Sequence, residues 1–155
     1  MKTRTILASL VVFLAGVVYG LAQTDASAYM GTWKLNEAKS KFGPGSGKNT
    51  MVTYGAAGDN MIKVVTDGTD KDGKPSHTEW TGKFDGKDYK VTGTDMYDTR
   101  SYIPAGKHSL SMTIKKGDKT VMTGKVSVAP DGKSRTVTTQ GSDPSMNNTA
   151  VYDKQ

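Results

Sequence analysis

Apolar and polar residues alternate with a period of two along most of this chain, in short segments divided by glycine-centred turns. Trp33 and Leu35 share one face with Tyr29; Val52 goes with Tyr54, Leu110 with Met112 and Ile114, and Met122 with Val126 and Val128. Lys34, Thr53, Lys115 and Lys125 stand opposite them and are expected to face water. This pattern predicts ten strands, at 31–35, 49–54, 61–66, 77–82, 89–94, 98–103, 109–115, 120–128, 134–140 and 148–153. Turn signals fall between them at Gly58-Asp59-Asn60, Asp72-Gly73, Asp85-Gly86, Pro104-Ala105-Gly106, Gly117-Asp118 and Asp131-Gly132, where Asp-Gly pairs supply the backbone angles of tight hairpins. One short helical turn is expected at 36–41, with Asn36 as its cap, and the Gly-Pro-Gly-Ser-Gly run at 43–47 stops it.

Hairpin-connected strands leave two open edges unless the first meets the last, and closure removes that liability. The expected fold is therefore all-β: an antiparallel up-and-down barrel of about 8–10 strands with at most one short helical turn, a two-sheet sandwich being the competing architecture.

The N-terminus follows another pattern. Lys2 and Arg4 precede an apolar run over 6–22 that ends on Gly20-Leu21-Ala22. That is the form of a cleavable export signal, expected to be cut after Ala22, which leaves 23–155 as one domain. Without a retained anchor the product is exported, to a periplasm or the outside, with no stable membrane attachment. No cysteine follows the run, so lipid attachment at a lipobox is excluded, and thiol chemistry and disulfides are excluded with it.

Composition narrows the function further. The formal charge of +6 includes Lys2 and Arg4, and the other basic residues are scattered through turns, which argues against nucleic-acid binding. Apolar residues are 35% of the chain but only about 29% of 23–155, where Leu35 and Leu110 are the only leucines. A closed sheet with one apolar face suits so thin a core.

Gly31-Thr32-Trp33-Lys34-Leu35 on the first strand resembles the G-x-W signature of the calycins, the superfamily of lipocalins and fatty-acid-binding proteins. Val151-Tyr152-Asp153-Lys154 is similar to the Val-Tyr-Glu-Lys ending of fatty-acid-binding proteins. With 36–42 added, the chain resembles small exported bacterial lipocalin-like proteins of unassigned function. The resemblance implies a barrel whose signature Trp plugs one end and whose interior holds a small apolar or amphipathic molecule. It also implies an Arg on the last strand, across that Trp, but the matching position is Ala150; Arg135 and Arg100 are the arginines on other strands that could take its place. The helical lid of fatty-acid-binding proteins is missing.

On this reading Trp33 closes the base, and Tyr54, Trp80, Met112 and Ile114 line the wall. Arg100, with Tyr102 on the same face, and Tyr152 supply polar contacts, provided that face of 98–103 points inward rather than the Thr99, Ser101, Ile103 face. The alternative is a structural or interaction module whose barrel is filled by its own side chains, consistent with the Thr-rich strand at 134–140.

Catalytic and metal chemistry find little support. His77 and Glu79 share a strand face and are the best acid–base pair, the basis of a weaker hydrolase reading, yet the other His, His108, lies near a turn and no ligand set converges. The acidic run at 67–73 with Glu79 fits a hairpin better than a calcium loop, because Gly68 stands where the first ligand belongs. Asn147-Asn148-Thr149 is a glycosylation sequon that matters only in a eukaryotic secretory route. No cofactor, catalytic residue or metal ligand is assigned.

Overall fold

A computed structural model describes residues 26–155, and the expected signal segment at 1–22 lies outside them. The chain forms a closed antiparallel barrel. Its strands are β1 (Gly31–Leu35), β2 (Lys41–Phe42), β3 (Lys48–Ala56), β4 (Ile62–Thr69), β5 (Pro75–Gly82), β6 (Tyr89–Thr92), β7 (Thr99–Pro104), β8 (Ser109–Lys116), β9 (Lys119–Val128), β10 (Ser134–Gly141) and β11 (Asn148–Lys154). Ten of them run in sequence order around the barrel, β1 pairing with β3 on one side and with β11 on the other, through Trp33↔Lys154, Lys34↔Asp153 and Leu35↔Tyr152. Closure by this seam pairs both edges that a ten-stranded meander would otherwise expose.

All ten expected strands and all six turns are present. The eleventh, β2, was not expected; it is a two-residue extension that pairs with β11 beside the end of β1, Asn148 opposite Phe42. Two residues carry no readable alternation. The helical turn at 36–41 shrinks to a 3-10 turn, Glu37–Lys39, whose first residue follows Asn36; the Asn36 side chain accepts from the Lys39 N–H. Further 3-10 turns at Ala26–Tyr29 and Pro144–Met146 exceed the one expected. Tyr29 consequently sits on a turn, not on the first strand. β6 stops at Thr92, short of the expected 94, because Gly93 takes a φ of +88° and lies directly on the His77 carbonyl, where a Cβ has no room.

One end of the barrel is sealed. The turn Ala26–Tyr29 folds beneath it, and the Trp33 indole Nε1 donates to the Tyr29 carbonyl at 2.8 Å, so both rings are fully buried. Beside them an aromatic stack passes from Tyr29 to Phe84 (centroids 5.6 Å apart), then to Tyr102 (5.5 Å) and Trp80 (5.1 Å from Tyr102). Trp80 also fastens the weakest part of the wall. β6 pairs with each neighbour through only two residues, and the Trp80 Nε1 donates across it to the Arg100 carbonyl at 2.9 Å, tying β5 to β7. The opposite end carries the connections at 43–47, 69–75, 93–98 and 142–147 and is open.

Candidate ligand site

A cavity of about 400 Å³ opens between those connections and reaches into the barrel. Its apolar wall comes from inward residues of successive strands: Val52 and Tyr54 on β3, Val64 on β4, Tyr102 on β7, Met112 and Ile114 on β8, Val126 on β9 and Tyr152 on β11. Each is buried, as period-two alternation requires of the inner face. Nearer the mouth the lining turns polar, with Thr66, Thr78, Thr139, Asn49 and Asn148.

Of the eight residues expected at the site, Tyr54, Arg100, Tyr102, Met112, Ile114 and Tyr152 share this lining. Trp33 and Trp80 do not. Each indole is held by its own N–H and screened by its neighbours: Trp33 by Arg135, and Trp80 by Phe84, Tyr89 and Tyr102. The ambiguity over 98–103 is resolved in favour of Arg100 and Tyr102, which point inward, 7% and 2% exposed, while Ile103 is 54% exposed.

Two arginines dominate the interior. Arg100 donates from Nη1 to the Tyr102 hydroxyl and from Nη2 to the Tyr97 hydroxyl, both at 3.4 Å, near the outer limit for such bonds. Its Nε has no partner. Arg135, on β10 opposite Tyr152, is only 2% exposed and sits among three rings, 4.6 Å from that of Tyr152, 5.0 Å from Tyr54 and 5.2 Å from Trp33. It lies across Trp33 from β10, whereas the β11 position at which the resemblance implied an arginine carries Ala150. Its Nε and Nη1 also lack acceptors.

Among the described residues no buried carboxylate accompanies them, Asp70 of the lining lying on the exposed loop after β4. Among the described residues the buried polar or charged side chains are Thr66, Thr78, Arg100, Ser101 and Arg135. Tyr152 and Tyr102 stay neutral: burial pushes the Tyr152 hydroxyl up to about 12 against the pull of Arg135, and burial raises Tyr102 as well. A guanidinium is protonated at any physiological pH. The interior therefore carries two positive charges, several unfilled N–H donors and an apolar wall, which is a setting for an acceptor-bearing, partly apolar ligand.

His77 and Glu79 lie on the outer face of β5 near the mouth. The His77 Nδ1 is 2.6 Å from Asp67 on β4, its Nε2 is 3.6 Å from Glu79, and Glu79 pairs with Lys63 at 3.0 Å. The Asp67 hydrogen bond, more than Glu79, raises the imidazole pKa, and Lys63 lowers that of Glu79. This is a surface charge ladder. Among the described residues no group of acidic, His or Cys side chains is arranged to hold a metal ion. The acidic loop after β4 is a hairpin turn, in which the Asp70 carboxylate accepts from the backbone N–H groups of Asp72 and Lys74, each at 2.9 Å.

No protein-family model matches the chain, and no curated protein does. Solved structures similar to the chain include two β-barrel proteins bound to a small molecule. One is a redesigned β-barrel, mFAP1, bound to DFHBI, with a TM-score of 0.46 and 14% identity over 83% of this chain and 97% of that one. The other, EF1p2_mFAP2b bound to DFHBI, has a TM-score of 0.46 and 12% identity over 84% and 96%.

Proposed function

We propose that this protein is a carrier that holds a small amphipathic molecule inside its barrel, with an anionic group of that molecule at Arg100. The observation that carries the reading is a buried guanidinium, facing an apolar cavity, with an unfilled N–H and no carboxylate beside it. An isolated buried charge costs several kcal/mol, and a ligand anion would offset that cost while its apolar part gains about 25 cal/mol for each Å² removed from water. Tyr102 and Tyr97 supply hydroxyls beside the anion, and Tyr54, Met112, Ile114 and Tyr152 surround the apolar part. Trp33 and Trp80 support the wall from behind.

The calycin reading is consistent with this arrangement: a ten-strand barrel, the Gly31-Thr32-Trp33 strand at its sealed end, and an arginine across Trp33. Export by the segment at 1–22 would place the carrier in the periplasm or outside the cell. On this reading the role is binding without turnover, with His77 at the mouth and Glu79 beside it engaged with surface charges.

Calorimetry with dodecanoate and dodecanol tests the reading. Dodecanoate should bind one-to-one and at least about tenfold more tightly than the alcohol, an advantage that Arg100→Met removes. Equal affinities, or no binding of either, would overturn it.

A further inference from the structure

Arg135 presents a second cation to the same cavity, and one anion at Arg100 leaves it unanswered. Three aromatic faces within 4.6–5.2 Å accommodate its charge. Faces do not answer a guanidinium's hydrogen bonds, however, because all five N–H groups lie in its plane. The Nε and Nη1 of Arg135 remain without acceptors although the side chain is almost wholly buried.

The two arginines approach from different parts of the wall. Arg100 lies on β7 and Arg135 on β10, with β8 and β9 between them in the barrel order. The inward residues of those intervening strands are apolar: Met112, Ile114 and Val126. The wall between the two strands is thus apolar, and both guanidiniums border Tyr54, Arg135 at 5.0 Å from its ring.

We propose that Arg135 is a second anion subsite and that the ligand carries two acidic groups joined by an apolar segment, one group for each guanidinium. This rests on the cavity being a ligand site, and names the class of ligand it takes.

Burial gives the test a sign. A second carboxylate that finds Arg135 gains charge-assisted hydrogen bonds, whereas one that finds no partner must be desolvated without compensation. Calorimetry on the unaltered protein would compare dodecanedioate with its monomethyl ester, which has nearly the same length and one charge fewer, and with dodecanoate. The diacid should bind roughly ten- to a hundredfold more tightly than the monoester. Arg135→Met should abolish that difference; if the variant fails to fold, the comparison on the unaltered protein decides alone. A monoester or dodecanoate that binds as well as the diacid, or better, overturns the second subsite and leaves the carrier reading standing. Failure of all three to bind overturns both.

Discussion

Replacing Arg100 by Met should move stability and binding in opposite directions. The side chains are similar in volume, so the wall stays filled. The change removes a buried charge and an unpartnered Nε, and an unsatisfied buried donor costs about 1–3 kcal/mol. It also removes two 3.4 Å hydrogen bonds and a contact with the Tyr97 ring at 5.8 Å, which together are worth about 1 kcal/mol at such lengths. The balance favours Met by about 1–2 kcal/mol, in line with the gains seen when buried charges give way to packed apolar groups. For a domain of this size that is an increase of about 4–7 °C in Tm. Chemical denaturation of ligand-free protein, with unchanged m-value, would measure the gain, and calorimetry with dodecanoate would measure the loss of affinity. If Arg100→Met instead loses 2 kcal/mol or more and binds dodecanoate undiminished, the arginine is part of the scaffold and its assignment to the ligand is mistaken.

Three other substitutions test the scaffold. Trp33→Ala should cost about 3–5 kcal/mol by thermal melting, since it empties the sealed end and removes one of the rings around Arg135; a loss under 1 kcal/mol would mean the base closes without it. Gly93→Ala forces a φ of +88° on a residue whose Cβ lands on the His77 carbonyl, so a destabilisation of at least about 2 kcal/mol is expected, and a neutral result would show that the end of β6 yields. The His77 pKa is raised from 6.5 by Asp67 and Glu79, so the ion pair's stabilisation is complete below about pH 6.5 and disappears as pH rises through the folded-state value. His77→Ala should flatten the midpoint of urea unfolding between about pH 6 and pH 8, and a slope that persists would place the titration elsewhere.

The strands were legible because alternation is a local property: one side chain in two faces the core, so Leu110, Met112 and Ile114 declare their face without knowledge of any partner. β2 was not, since two residues cannot alternate and its pairing depends on β11 more than a hundred residues away. The face of 98–103 was ambiguous because Arg100 and Tyr102 compete with Ser101 and Ile103. Tertiary contacts decide it: the Arg100 side chain donates to the Tyr97 and Tyr102 hydroxyls, and the Tyr102 ring packs on Phe84 and Trp80. Trp80 was expected in the wall of the site and stands behind it, while Trp33, expected to close the base, lies at the sealed end. Size and hydrophobicity mark a residue as buried, but they do not separate core from cavity lining. Arg135 was readable only as a candidate: its alternation with Val137 and Thr139 turns it inward, whereas its ring of Trp33, Tyr54 and Tyr152 draws on β1 and β3, distant in sequence, as well as on the neighbouring β11.

The account stands or falls on whether the barrel holds a molecule. Native mass spectrometry of the protein purified without detergent from the cells that make it, set beside the same sample denatured, tests this most directly. The account predicts an added mass, released on unfolding, that ionises as an acid and restores itself when the stripped protein meets an acidic amphiphile. A bare polypeptide that also takes up no dodecanoate or dodecanedioate would contradict it.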